Sequence, residues 1–294
     1  MFKGVWPALV TPAAADGDIN VAVLEQLVEH LIGKDVDGLY VGGTTGEGVY
    51  MSIPQRKRLA EVTLKVANGR IPIMVHIGSM AVGEAVDLTR HAHEQGAAAV
   101  SSILPAKYDS FDSLYAYYER IAQAVPGFPV WTYILNDSRD AIALMRRVMA
   151  IPNVVGTKYT GPNLYEFRRI VELGAEREWT VFSGMDEQCL YAAMMGSDGN
   201  IGSTLNFMPG VYRQIRDCYA AGDLASAQGW QLRANHITEI VVEAGFPGAL
   251  CAAMTLLGFD CGEPRLPNLP LTAGQRQQLQ QKLESSEFFE LCAL

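Results

Sequence analysis

The stretch DGLYVGGTTGEGVYMSIPQRKRLAEVTLKVANGRIPIMVHIG, Asp37 to Gly78, carries two nearly continuous apolar runs separated by one amphipathic segment. Gly38–Gly43 and Ile71–Gly78 read as strands covered on both faces, the pattern of a parallel sheet. Between them Pro54–Asn68 reads as a helix, with Ser52 as N-cap and proline in the first turn. The same alternation extends in both directions. Further strands are expected at Val5–Thr11, Ala98–Leu104, Pro129–Leu135, Val154–Tyr159, Thr180–Gly184 and Asn200–Thr204. Helical periodicity lies between them at Val21–Lys34, Gly83–Gln95 and Asp112–Val125. Eight such units over roughly 220 residues predict an α/β fold, a (β/α)8 TIM barrel. An open doubly wound sheet would place a GxGxxG turn after its first strand, and here that strand runs into ALVTPAAADG. From Asp223 the strand signals stop, and Leu224–Ala244, Gly248–Leu257 and Thr272–Ser285 read as helices. Residues 1–222 are therefore expected to form the catalytic barrel, and 223–294 a C-terminal helical appendage packed on it.

Composition narrows the function. The 294 residues are 49% hydrophobic, ample for a large core, with a formal net charge of −9. That balance argues against a nucleic-acid partner, whose recognition gathers Lys and Arg on one face. Cys189, Cys218, Cys251, Cys261 and Cys292 are odd in number and form no CxxC pair, so free thiols and a cytoplasmic setting are expected. The opening MFKGVWPALVTP lacks the apolar run of a signal peptide. No uncharged apolar stretch reaches the 18 or so residues of a membrane span, so no membrane partner is expected.

In a barrel of this kind the chemistry sits where the strands end. Polar residues at those ends are Gly42-Gly43-Thr44-Thr45-Gly46-Glu47, Tyr133, Lys158 with Thr160, Gly184-Met185-Asp186-Glu187, and Gly202-Ser203. Lys158 stands out because it interrupts the apolar strand VVGTKYT, where a buried ammonium is costly. Burial disfavours the charged form of an amine, and a neutral amine attacks a ketone to form a Schiff base. The alternative is a lysine that ends an edge strand and points into solvent. The glycine-rich turn offers N–H groups and hydroxyls suited to a carboxylate or phosphate, or is simply a tight βα turn with Glu47 in the first helical turn. Tyr133 is a proton shuttle or a core tyrosine. Asp186 and Glu187 are ligands, or carboxylates favoured at a helix start.

Together, DGLYVGGTTGE, GTKYTG, FSGMDE and GSDGNIGSTLN resemble segments of the dihydrodipicolinate synthase/N-acetylneuraminate lyase family, most closely its N-acetylneuraminate lyase branch. The resemblance implies a class I, Schiff-base lyase or aldolase that cleaves a 2-keto-3-deoxy sugar acid to pyruvate and an aldehyde sugar. Lys158 would be its nucleophile and Tyr133 its proton shuttle. Thr44 and Thr45, with the turn at Gly46, would bind the keto-acid carboxylate. Thr160, Gly184, Asp186, Glu187, Gly202 and Ser203 would hold the tail, and Tyr108 would support the site near a subunit contact. A homotetramer is implied, with a small 2-keto acid and a sugar aldehyde as its substrates.

Several features bear on which tail is accepted. Tyr133 is followed by Ile134, Leu135 and Asn136 where the family usually shows Asn-x-Pro, and Lys107 precedes Tyr108 where an aromatic residue is usual. Pro247, Gly248 and Cys251 fall in a segment that is more polar and aromatic in sialic-acid lyases. Aldolases or dehydratases of 2-keto-3-deoxy sugar acids are rival readings. A 4-hydroxy-tetrahydrodipicolinate synthase would need an arginine where Ser138 stands, although Arg139 follows at once. No cofactor or metal is expected, because His91 and His93 do not share a helix face and His76 has no partner nearby in sequence. A barrel that only senses keto acids is the remaining class, although a binder has no need of a reactive amine.

Overall fold

The computed structural model describes residues 2–137 and 139–294. Eight parallel strands, β1 (Gly4–Pro7), β2 (Leu39–Val41), β3 (Ile73–His76), β4 (Ala99–Ile103), β5 (Val130–Leu135), β6 (Val154–Thr160), β7 (Thr180–Ser183) and β8 (Gly199–Gly202), form one sheet. Their order is β1-β8-β7-β6-β5-β4-β3-β2. A parallel bridge from Ala8 to Tyr40, with Leu9 N–H donating to the Tyr40 carbonyl, joins the two ends. The chain is thus a (β/α)8 barrel.

Eight helices alternate with the strands: α1 (Val21–Gly33), α2 (Ile53–Ala67), α3 (Val82–Glu94), α4 (Phe111–Ala124), α5 (Ala141–Val148), α6 (Leu164–Ala175), α7 (Cys189–Met195) and α8 (Pro209–Ala220). Helix α2 shows how local sequence sets them. Ser52 and Gln55 make a reciprocal capping box, Pro54 occupies the first turn, and Asn68 ends the helix in a left-handed conformation. Arg56, Leu59, Ala60, Thr63 and Ala67 repeat at helical spacing and are the buried face.

Apart from β5 and β6, the strands stop earlier than their apolar runs do. Ala8, Leu9 and Val10 are buried, yet they lie beyond β1, and the Val10 N–H donates to the Asn206 side chain instead of to a ladder. Loops that cover the barrel mouth bury residues as fully as sheet pairing does, so hydrophobicity alone overestimates strand length. Inside the barrel, Trp6, Tyr40, Met74, Trp131, Phe182 and Ile201 form a packed core, with Trp131 stacked on Phe182 at 5.3 Å. Among the described residues these side chains fill the interior below the site.

Four helices follow the barrel: α9 (Leu224–Glu243), α10 (Phe246–Leu256), α11 (Ala273–Glu284) and α12 (Phe288–Ala293). The break between α9 and α10 falls at Gly245, whose φ of +105° suits a residue without Cβ. Helix α10 begins two residues before the expected Gly248, because Pro247 is accommodated in its first turn. Helix α12 was not expected; Phe288 packs on Phe207 at 5.5 Å, and Lys34 Nζ donates to the Cys292 and Ala293 carbonyls. Helix α9 ties directly to the β7 end, where Gln231 Nε2 donates to the Asp186 carbonyl and Asn235 Nδ2 to that of Glu187. No single helix among the described residues is long and apolar enough to cross a membrane.

Candidate active site

The β5–β6 register sets Tyr133 beside Lys158 on adjacent strands. Lys158 is only 5% exposed, and its Nζ lies 4.4 Å from the centre of the Tyr133 ring and 4.8 Å from that of Tyr40. The electron-rich faces of both rings hold the amine at the barrel axis. Among the described residues no carboxylate forms an ion pair with it. Its stem passes Gly184, where a Cβ would lie 2.7 Å from Lys158 Cε and collide with Thr160 Oγ1. That close approach accounts for glycine at the end of β7.

Lys158, Tyr133, Thr44, Thr45, Thr160, Gly184 and Ser203 line one cavity of about 200 Å³. Thr44 Oγ1 stands 3.4 Å from the Tyr133 hydroxyl, and Thr45 Oγ1 shares a 2.6 Å hydrogen bond with Ser203 Oγ. Thr160 Oγ1 is buried with no partner among the described residues. The cavity therefore combines an amine with several neutral hydroxyls, which suits an anionic keto acid. Beneath it, burial pushes the Tyr40 hydroxyl well above the ordinary tyrosine range. Burial, reinforced by Arg56 and Lys158, holds His76 well below the histidine range. Both rings are accordingly neutral supports at physiological pH.

Other expected site residues lie one step away. Gly46 packs against the Leu9 carbonyl, and its own carbonyl accepts from Thr11 Oγ1 at 2.7 Å, which pins the turn. Asp186 is buried, its Oδ2 accepting from the N–H and hydroxyl of Thr204, each at 2.8 Å, while its Oδ1 has no partner among the described residues. Gly202 faces Asp186 so closely that a Cβ would strike Oδ1. Glu187 is half-buried and tied to α9 through its carbonyl. Tyr108 lies outside the cavity, with its ring 5.1 Å from Tyr117 and its hydroxyl donating to the Met80 carbonyl at 3.4 Å. Ser138 lies outside the described residues. Arg139 borders neighbouring clefts, where its guanidinium is engaged by Asp137 and the Tyr108 carbonyl. Among the described residues no three His, Cys, Asp or Glu side chains are placed to hold a metal ion.

Asp186 gives a pH prediction. Burial, with the Glu187 charge beside it, pushes the carboxyl up to about 6, although the Thr204 donors oppose the shift. The folded-state value lies above the unfolded one. Stability contributed by the bound proton is therefore complete at acid pH and is lost as pH rises through about 4 to 6. Asp186→Asn keeps an acceptor for Thr204 and removes the buried charge. Chemical denaturation should show the variant about 1 to 3 kcal/mol more stable than wild type near pH 8, the gain fading near pH 4. An equal difference at both pH values would mean that the charge is not the cause.

The sequence reading missed part of the wall. Glu47 is no first-turn helical residue. It adopts φ +55°, is 6% exposed, and receives Arg265 and Asn268 from the α10–α11 loop. Val10, Tyr50, Leu135, Phe246, Leu250 and Asn268 also line the cavity, together with Pro247 and Cys251. Nothing in the spacing of RLPNLPL marks it as a site segment; only the fold brings it there.

The sequence profile described as "Dihydrodipicolinate synthetase family" matches residues 1–286. The N-acetylneuraminate lyase of Rhizobium meliloti (strain 1021) is 31% identical over 269 residues, 90% of this chain and 89% of that protein. That of Mus musculus is 31% identical over 298 residues, 98% of this chain and 93% of that protein. The solved structure of Proteus mirabilis N-acetylneuraminate lyase superposes with a TM-score of 0.92 at 30% identity, covering 98% of this chain and 99% of that one. With a profile match over nearly its whole length, the chain belongs to the dihydrodipicolinate synthetase family.

Proposed function

We propose that this enzyme reversibly cleaves N-acetylneuraminate to pyruvate and N-acetylmannosamine through a Schiff base on Lys158. The observation that carries the reading is Lys158 itself, a buried amine without an ion-pair partner among the described residues, set beside Tyr133 in a hydroxyl-lined cavity. Thr44 and Thr45 take the substrate carboxylate. Lys158 Nζ adds to the C2 ketone, and water leaves to give an iminium that withdraws electrons from C3. The Tyr133 oxygen, aided by the carboxylate beside it, removes the C4 hydroxyl proton. The C3–C4 bond then breaks, its electron pair passing into an enamine while C4 becomes the aldehyde. Protonation at C3 and hydrolysis of the imine release pyruvate and restore the amine. Binding interactions that strengthen as the iminium forms raise the rate; uniform binding does not.

In this reading Thr160, Gly184 and Ser203, which line the cavity, hold the sugar tail together with Asp186, Glu187 and Gly202. The engagement of Arg139 away from the cavity disfavours an aspartate-semialdehyde substrate, which would bring a second carboxylate. Residues 1–222 act as the catalytic barrel in this reading, and 223–294 close one side of its mouth. A homotetramer working in the cytoplasm fits the family, with Tyr108 near a subunit contact. The test is pyruvate release from N-acetylneuraminate and from hexose-derived 2-keto-3-deoxy acids. Preferred turnover of N-acetylneuraminate supports the reading; turnover of the shorter acids alone would replace it with the sugar-acid aldolase reading.

A further inference from the structure

The loop between α10 and α11 is fastened to the barrel at several points. The Cys261 carbonyl accepts from the Ala13 N–H at 2.9 Å, and Gly262 sits against Ala13 with no room for a Cβ. Arg265 N–H donates to the Glu47 carboxylate at 3.0 Å, while Arg265 Nη1 bonds both that carboxylate and the Thr11 carbonyl, at 3.3 and 3.1 Å. Asn268 Nδ2 completes the arrangement, donating to Glu47 Oε1 at 2.7 Å. Glu47 follows directly on the Thr44-Thr45-Gly46 turn, so the loop is anchored to the part of the site that would hold the keto acid.

This anchoring fixes the chemistry that Asn268 offers the cavity. The Asn268 amide turns its NH₂ toward Glu47, whose Oε1 accepts from it. Its Oδ1 then has no hydrogen-bond partner among the described residues, and Asn268 lines the same cavity as Lys158. Phe246, Pro247 and Leu250, which line the same cavity, are apolar. An acceptor in that setting attracts a hydroxyl or amide N–H and repels a carboxylate. The pyruvyl part of the substrate carries a carboxylate and, once the imine forms, no hydroxyl. The group that meets Oδ1 therefore belongs to the aldehyde-derived part.

We propose that Asn268 is a specificity-determining residue whose Oδ1 accepts a hydrogen bond from an O–H or N–H on the aldehyde-derived tail. The proposal rests on the lyase reading above and adds a contact to it. It is tested in the condensation direction with pyruvate and a panel of N-acetylmannosamine, erythrose and glyceraldehyde, comparing wild type with Asn268→Ala. Borohydride trapping of the pyruvate adduct is run alongside as an independent reading of the Schiff base.

Loss of one neutral hydrogen bond predicts that kcat/KM for the longest accepted aldehyde falls about tenfold in Asn268→Ala. The loss should be smaller for glyceraldehyde, and KM for pyruvate should move less than about twofold. An equal loss for every aldehyde, or one that appears chiefly in pyruvate KM and adduct yield, would overturn the proposal in favour of a purely structural loop. No change would overturn it as well. If wild type traps pyruvate but uses erythrose and not N-acetylmannosamine, the sialic-acid reading fails, and the erythrose-to-glyceraldehyde contrast still decides the role of Asn268. Trapping without turnover of any aldehyde would end both.

Discussion

Lys158→Ala is expected to lower kcat for cleavage by a factor of at least about 10⁴, with no loss of thermal stability. The size follows from the role: without the amine there is no iminium, and the C3–C4 bond has nowhere to deliver its electrons. General acid–base help alone contributes about 10² to 10⁴, so a nucleophile should exceed the upper end of that range. The stability claim follows from the surroundings. Lys158 is buried with no ion-pair partner among the described residues, and its stem borders an existing cavity. Removing it takes away a desolvated polar group and breaks no salt bridge. Lys158→Met is the companion variant, filling the space over the Tyr40 and Tyr133 rings without an amine. Steady-state kinetics with melting curves on both variants check the prediction. A kcat within about tenfold of wild type would remove Lys158 from the chemistry.

Tyr133→Phe should behave differently. The ring remains to face Lys158 Nζ, so the lysine stays in place and pyruvate is still trapped as an imine. The hydroxyl near Thr44 is lost, and with it the group that moves the C4 proton. The expected fall in kcat is about 10² to 10⁴, with the adduct yield close to wild type. The combination is diagnostic. If adduct formation and turnover fell together, Tyr133 would be needed to assemble the imine, and the assignment to carbon–carbon cleavage would be wrong.

The barrel was legible because its signals repeat. Each of the eight strands is a short apolar run, each followed by a helical segment, and α2 carries its own cap and stop. Lys158 was legible for a related reason: one cation in the middle of VVGTKYT contradicts its surroundings, and such contradictions concentrate where a protein does chemistry. Tyr133 became legible only through the resemblance, since a tyrosine in an apolar strand is unremarkable by itself.

What stayed hidden depends on distance along the chain. Asn268 meets Glu47 across 221 positions, in a loop whose three prolines signal only that helix and strand are interrupted. Glu47 looks like a favourable first-turn carboxylate until Arg265 is seen against it. Asp186 reads as a strand-end carboxylate, and only the fold shows that its Oδ2 is taken by Thr204 while its Oδ1 has no partner among the described residues. In each case the residue type was informative, and the direction of the side chain came from tertiary packing.

The central claim, that Lys158 is a Schiff-base nucleophile, is tested most directly by intact-mass measurement after borohydride reduction in the presence of pyruvate. Wild type should gain one pyruvyl group per chain, mapped to the peptide containing Lys158, and folded Lys158→Met should gain none. An unmodified wild-type chain, or an adduct that persists in the variant, would contradict the account.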